Sequence, residues 1–251
     1  SSDVCSSDLM DNPIYFVSDN HFQKRSDKLE RTRRIKFYSL LDHIKDTEGS
    51  LVIGGDFFDF WFDYRGYIPH EYIDIFEKLR ELKDSGCDIY YILGNHDYWD
   101  FGFFNKIFTK HTFKDEYIIL DKDKKILIIH GDGVLPEDSG YRLFRRIIRS
   151  KSCIFLFKML SPKIGYYIAS KISHADKPAT YYKDSELLKS RLTEYARTRF
   201  DDVDVLLMGH YHQSGIIEEK DKKLIFLGDW LTKYLVTVYH NGQWNQIHWG
   251  K

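Results

Sequence analysis

Cysteine is scarce in this chain of 251 residues: Cys5, Cys87 and Cys153 lie far apart, with no Cys-x-x-Cys pair. That excludes a disulfide framework and a thiolate zinc cluster, and it points to a reducing compartment. Proline and glycine are also few, at 5 and 16 residues, which excludes collagen-like and low-complexity architectures. No run of 18 apolar residues occurs, because the most apolar stretch, residues 153–170, is broken by Lys158 and Lys163; a bilayer-spanning helix is not expected. An excess of one charge is missing as well. With 37 basic and 38 acidic side chains the formal charge is −1, so no global field recruits nucleic acid, and none is expected as a partner. The first nine residues, Ser1 to Leu9, lack the charged and apolar regions of a signal peptide. They read as translated adapter sequence, are expected to lie outside the fold, and place the native start at Met10.

What is present is enough to build a core. Hydrophobic residues make up 43% of the chain and aromatics 16%, and the length suits one domain, residues 10–251, rather than two equal ones. Short runs rich in Ile, Tyr and Val at residues 14–17, 51–53, 89–93, 126–129 and 203–208 predict buried strands. Residues 28–45 and 70–84 place apolar side chains three and four apart, as amphipathic helices do. The alternation predicts an α/β protein. Beyond Met208, runs at 215–218, 224–227, 235–239 and 244–249 predict antiparallel hairpins, with Asn241-Gly242 as a tight turn; these are expected to form a second sheet.

One segment breaks the alternation. Residues 141–177 hold nine Lys or Arg against a single acid, Asp176, together with a surplus of Leu, Ile, Phe and Tyr. The pattern predicts a helical insertion over residues 139–180, basic and apolar at once. Its apolar side chains suit acyl chains and its cations suit pyrophosphate or an anionic leaflet. The plainer reading is a set of amphipathic helices docked on the core with a solvated basic face.

Every predicted core strand ends in residues able to bind a metal. Asp19-Asn20-His21 follows the first, Gly54-Gly55-Asp56 the second, with Asp59 beyond, and Gly94-Asn95-His96-Asp97 the third. His130-Gly131-Asp132 follows the fourth and Gly209-His210-Tyr211-His212 the fifth. Ligands bind beyond the carboxyl ends of strands in open α/β sheets, so these loops are expected to converge. Asp19, His21, Asp56, Asn95, His130, His210 and His212 are seven oxygen and imidazole donors without a thiolate, a set that suits manganese, iron or zinc. Seven donors exceed one ion with an open position and fit two sharing Asp56: one with Asp19, His21 and His212, the other with Asn95, His130 and His210. Two such ions, roughly 3.5–4 Å apart, activate a bridging water and clamp a phosphoryl group, which implies phosphoester or phosphoanhydride hydrolysis. His96 is expected to assist the leaving oxygen, with Asp97 orienting its ring. Asp59 and Asp132 are expected to orient the ligand histidines.

The blocks Asp19-x-His21, Gly55-Asp56-x-x-Asp59, Gly94-Asn95-His96-Asp97, His130-Gly131 and Gly209-His210-x-His212 occur in order over about 200 residues. With them the chain resembles the calcineurin-like metallophosphoesterase superfamily. That resemblance implies a four-layer α/β/β/α sandwich with a dinuclear site, and two divalent ions are expected there, manganese first and zinc or iron as alternatives. Trp61, Asp138, Tyr141, Phe144, Arg145, the basic insertion and Leu227-Gly228-Asp229-Trp230 resemble the UDP-2,3-diacylglucosamine diphosphatase family. This narrower resemblance implies cleavage of a UDP-linked diacyl sugar in lipid A biosynthesis. It also implies a lid receiving the acyl chains, substrate contacts at Trp61, Asp138, Tyr141, Phe144 and Arg145, and a monomer at the cytoplasmic face of the inner membrane. The chain departs from that family with His96 in place of Arg and Asn20 in place of Leu, and His96 restores the general superfamily pattern.

Other readings of the same residues stand beside these. Trp61 also suits a core position, and Asp138 and Tyr141 suit capping and packing of the first insertion helix. A soluble phosphodiesterase or nucleotide pyrophosphatase would keep the metals and change the substrate. A non-catalytic scaffold would be expected to have lost ligands, and all seven are present.

Overall fold

A computed structural model of the chain describes residues 4–5, 12–25, 27–173 and 184–250. Its elements are, in order, β1 (Val4–Cys5), β2 (Ile14–Val17), α1 (Lys28–Asp46), β3 (Ser50–Ile53), α2 (Ile73–Asp84), β4 (Ile89–Ile92), α3 (Phe103–Ile107), β5 (His111–Phe113), β6 (Glu116–Asp121), β7 (Lys124–Ile129), α4 (Ser139–Ile148), α5 (Lys151–Met159), α6 (Pro162–Ser173), α7 (Glu186–Arg197), β8 (Val205–Met208), β9 (Ser214–Glu219), β10 (Lys222–Leu227), β11 (Leu235–His240) and β12 (Gln243–His248). Among the residues described, the strands form two mixed six-stranded sheets, ordered β1-β6-β7-β8-β10-β9 and β12-β11-β2-β3-β4-β5.

Successive side chains of a strand face opposite sides, and the central strands are apolar on both. Tyr15, Val17, Leu51, Ile53, Ile89 and Tyr91 face α1 and α2, meeting Phe37, Leu40, Ile44, Ile75 and Leu79. Their neighbours Ile14, Phe16, Val52, Tyr90 and Ile92 face the other sheet and meet Ile126, Ile128, Val205, Leu207, Ile225 and Leu227. The far face of that second sheet, with Leu127, Leu206, Met208, Leu224 and Phe226, packs on Leu192 and Ala196 of α7. Three cores between four layers make the expected α/β/β/α sandwich.

The C-terminal strands do not form a sheet of their own. β9 and β10 extend the sheet of β7 and β8, with β10 parallel to β8, whereas β11 and β12 pair beside β2 in the other sheet. Each hairpin has one face that needs burial, and both sheets offered an open edge. β5, β6, α3 and α7 were not foreseen; β6 is the half-buried partner of β7 in a hairpin closed at Lys122-Asp123. Of the segment expected outside the fold, Val4 and Cys5 pair in parallel with Ile118 and Ile119, and the rest lies outside the described residues.

The insertion is helical as expected, with α4, α5 and α6, and its end, residues 174–180 including Asp176 and Lys177, lies outside the described residues. Phe157 and Tyr166 from it pack on Phe62 and Tyr64, forming a satellite cluster beside the main core. Trp61, expected at the substrate, is instead a core residue. It is 1% exposed and packed among Phe58, Phe76, Phe103 and Phe104, because its flanking residues Phe60 and Phe62 take the opposite side. Trp61→Ala should therefore cost about 3–5 kcal/mol in urea unfolding; a loss well under 1 kcal/mol would remove Trp61 from the core.

Candidate metal centre

The loops after β2, β3, β4, β7 and β8 converge at one end of the sandwich, although they leave two different sheets. The first two are zipped together: the Asp19 amide donates to the Gly55 carbonyl at 3.0 Å and the His21 amide to that of Asp56 at 2.9 Å. Asp19, His21, Asp56, His210 and His212 all have left-handed backbone, with φ of 51°, 45°, 51°, 64° and 54°. Non-glycine residues adopt this region at a cost, and its concentration at one place marks a functional cluster.

Ligand atoms of Asp19, His21 and His212 lie within 4.8 Å of one another, as do those of Asp56, His130 and His210; His21, Asp59 and His96 form a third, overlapping group. The Asn95 Oδ1 lies 3.2 Å from Nε2 of His130. The structure thus brings Asp19, His21 and His212 together on one side and Asp56, His130 and His210 on the other, with Asn95 beside His130.

The carboxylates are aimed. Asp56 uses Oδ1 to accept the His96 amide at 2.8 Å, which leaves Oδ2 facing His130 at 3.3 Å, His96 at 3.8 Å and His21 at 3.9 Å. One oxygen of Asp56 therefore looks onto imidazoles of both groups. Asp19 holds its Oδ2 against the Ser18 hydroxyl at 2.6 Å and the His210 amide at 2.9 Å. Its buried Oδ1 faces His212 at 3.6 Å and His21 at 3.8 Å and accepts no hydrogen bond among the described residues. A buried carboxylate oxygen left in this state is costly unless a cation meets it; the donor set fits divalent ions.

Carbonyls set the imidazole tautomers, since a carbonyl can only accept. His130 Nδ1 donates to the Gly54 carbonyl at 2.9 Å, and His96 Nδ1 to the Asp59 carbonyl at 2.6 Å. Each ring turns Nε2 toward Asp56. Burial alone would raise the Asp56 carboxyl, but the His130 and His96 rings outweigh it and hold it well below the ordinary range. Burial opposes charge on His130, yet Asp56 pushes this imidazole up to about 10. At Asp19 burial prevails and raises the carboxyl. The cavity thus favours positive charge beside Asp56.

Several expected roles move. Asp97 does not orient His96; it braces the loops by accepting the Gly94 amide at 2.7 Å, the Phe57 amide at 2.8 Å and the Tyr91 hydroxyl at 2.5 Å. The Asp59 backbone, not Asp97, holds the His96 ring. Asp132 anchors the insertion, accepting from the Tyr141 hydroxyl at 2.9 Å, Arg145 at 2.9 Å and Arg149 at 3.3 Å. Arg145 is thereby turned to Asp132, and Asp138 accepts from the Tyr211 hydroxyl at 2.9 Å. Tyr141 and Phe144 do face a cavity of about 420 Å³ that reaches from Asn95 and His96 to Trp99, Ile154, Phe157 and Ile168.

Residues 12–214 match the family model for calcineurin-like phosphoesterases. The chain belongs to that family. It is a metallophosphoesterase, a hydrolase whose His and Asp clusters form the metal site. Among similar proteins is a UDP-2,3-diacylglucosamine hydrolase of Pseudomonas fluorescens, 30% identical over 222 residues, covering 86% of this chain and 87% of that protein. Proteins of the same name in Haemophilus influenzae and Porphyromonas gingivalis are 29% and 27% identical, each over 88% of this chain and 91% and 92% of their own length. Among solved structures, an archaeal phosphodiesterase aligns with a TM-score of 0.45 at 14% identity, over 94% of this chain and 98% of that one.

Asp229 had no role assigned from sequence, yet its Oδ2 lies 3.6 Å from Nδ1 of His212. Burial would raise this carboxyl, but His212 and Thr232 outweigh burial and lower it. The signal was there, because Gly228-Asp229 follows β10 as Gly55-Asp56 follows β3. The centre also tolerates no extra atom at Gly94, where a Cβ would stand 2.2 Å from Asp56 Oδ1. Gly94→Ala is expected to lose bound metal while keeping its far-ultraviolet circular dichroism; full metal content in that variant would show that Asp56 has room to move.

Proposed function

We propose that this metallophosphoesterase hydrolyses the pyrophosphate of UDP-2,3-diacylglucosamine, giving UMP and 2,3-diacylglucosamine 1-phosphate, a step of lipid A biosynthesis. The observation that carries the reading is the continuity of the apolar cavity with the phosphoryl site: Asn95 and His96 stand at one end, and Phe144, Ile154, Phe157 and Ile168 of the insertion line the rest. A soluble nucleotide needs no such wall, whereas an acyl chain does. The named relatives support the same substrate.

Two divalent ions, manganese by preference and zinc or iron as substitutes, would be held by Asp19, His21 and His212 and by Asn95, His130 and His210, with Asp56 between them. When bound, such ions polarise phosphoryl oxygens and lower the pKa of water. The chain supplies the rest. Asn95 positions a phosphoryl oxygen through its side-chain amide, and His96, its Nδ1–H held by the Asp59 carbonyl, turns Nε2 to the leaving phosphate and donates a proton from it in the imidazolium form. Tyr141 and Phe144 bound the substrate, while Asp138 and Arg145 hold the lid that carries them. Water adds across the P–O–P bond, one phosphate keeping the new oxygen and the other leaving with the old bridge.

The lid also supplies the place where such a substrate is met. Phe155, Leu156, Met159 and Tyr167 are 63–69% exposed, and Arg146, Lys151, Lys158, Lys163 and Lys171 are exposed among them. An apolar face rimmed by cations fits an anionic leaflet. Among the described residues no helix is long and apolar enough to cross a membrane. The protein would work as a monomer, peripheral on the cytoplasmic face of the inner membrane.

Hydrolysis of UDP-2,3-diacylglucosamine in ¹⁸O-labelled water should yield UMP and the sugar phosphate, with label on one phosphorus, and Asp56→Ala should abolish turnover with the fold retained. Parent-rate hydrolysis by that variant would remove Asp56 from the centre, and turnover indifferent to acyl length would favour a soluble diester as substrate. In vesicle sedimentation, Phe155→Ser with Leu156→Ser should release the protein from phosphatidylglycerol vesicles; unchanged binding would place the membrane face elsewhere.

A further inference from the structure

The turn that carries the chain from one sheet to the other lies against the first ligand group. β10 ends at Leu227 in one sheet and β11 begins at Leu235 in the other. Between them, the Trp230 amide donates to the Ser18 carbonyl at 3.1 Å and the Leu231 amide to that of Asp19 at 3.3 Å. Asp229 in this turn is wholly buried. Its Oδ1 accepts the Thr232 amide at 2.5 Å, the Thr232 hydroxyl at 2.8 Å and the Lys233 amide at 3.2 Å, which fixes the plane of the carboxylate. Its Oδ2 faces His212 Nδ1 at 3.6 Å, with the Lys233 ammonium 3.8 Å away. The same ammonium donates to the backbone carbonyl of His212 and, at 3.1 Å, to Asp184. One turn therefore grips Asp19 by its backbone and His212 by both backbone and ring.

We propose that Asp229 and Lys233 are positioning residues for the cation held by Asp19, His21 and His212, and not for its neighbour. The inference rests on the metal-centre reading above. A buried carboxylate facing Nδ1 selects the Nδ1–H tautomer and leaves the lone pair on Nε2, the atom that lies 3.6 Å from Asp19 Oδ1. Lys233 secures the carbonyl of a residue whose backbone is left-handed, with φ 54°. The other group has its own support, because His130 is oriented by the Gly54 carbonyl. The two ions thus depend on separate partners.

Manganese binding to the purified full chain tests this, by isothermal titration and by metal content after desalting. The parent should take up two ions. Asp229→Asn, which keeps an oxygen for the Thr232 turn and removes the charge, should weaken one ion about ten- to a hundredfold and leave the other unchanged. Lys233→Met should weaken the same ion less. Thr232→Val, which loses one bond to Oδ1 and retains the carboxylate, should keep both. Parent affinity at both sites in Asp229→Asn, equal weakening of both, or the same loss in Thr232→Val would overturn the proposal. A parent chain that binds no manganese would overturn the metal-centre reading along with it. Should Asp229→Ala fail to fold, Asp229→Asn decides alone.

Discussion

The Asp56 carboxylate is the constraint on which the rest of the molecule turns. One of its oxygens is spent on the His96 amide, and the other is left among imidazoles from both ligand groups. Such an anion cannot be buried without compensation, and the compensation comes from loops that belong to opposite sheets. The sandwich must therefore bring the ends of β2, β3 and β4 against those of β7 and β8. Five of the converging residues have left-handed backbone, an arrangement costing of order 1–3 kcal/mol each that persists only where the surroundings over-determine it. The zipped loops after β2 and β3, and the central core of Phe16, Val52, Ile128 and Leu207, do so.

Orientation at this centre comes chiefly from oxygens outside the ligand set. The carbonyls of Gly54 and Asp59 each hold one ring nitrogen, Ser18 turns the Asp19 carboxylate, and Asp229 faces the far side of His212. Backbone carbonyls cannot be lost by mutation of a side chain, and they cannot donate, so each enforces one tautomer. Asp97 contributes differently, tying the loop at Gly94 to that at Phe57 so that the Asn95 and His96 side chains project together.

The insertion meets the centre through Asp132, the second residue after His130. Its one carboxylate takes Tyr141, Arg145 and Arg149, which are four apart in sequence and lie along one face of α4 and its C-terminal cap. Arg149 also stacks on Tyr98 at 3.8 Å, close in sequence to Asn95 and His96. The adjoining face of the same helix gives Phe144 and Ile148 to the cavity, with Tyr141 at the boundary of the two. A helix that is polar toward the metal loops and apolar toward a cavity explains why this segment is both basic and rich in large apolar residues.

Much of this was legible in the amino-acid order. Strands that are apolar on both faces announce burial between layers, and a Gly, Asp, Asn or His at the end of each announces a shared site, because both signals are local. On that basis Asp19, His21, Asp56, Asn95, His130, His210 and His212 could be named as residues that the fold brings to one end of the sandwich. Trp61, Asp97, Asp138 and Arg145 could not be placed, since an aromatic or a carboxylate near a site has the same local pattern whether it faces the cavity or braces a loop. Nor could order alone assign β9 and β10 to one sheet and β11 and β12 to the other: hairpins of the same alternation fit either open edge. The sequence by itself determined which chemistry is present and which strand ends carry it. Tertiary structure decided the partner of each strand, the tautomer of each ring and the direction of each carboxylate, because those are settled by burial against residues far away in the chain.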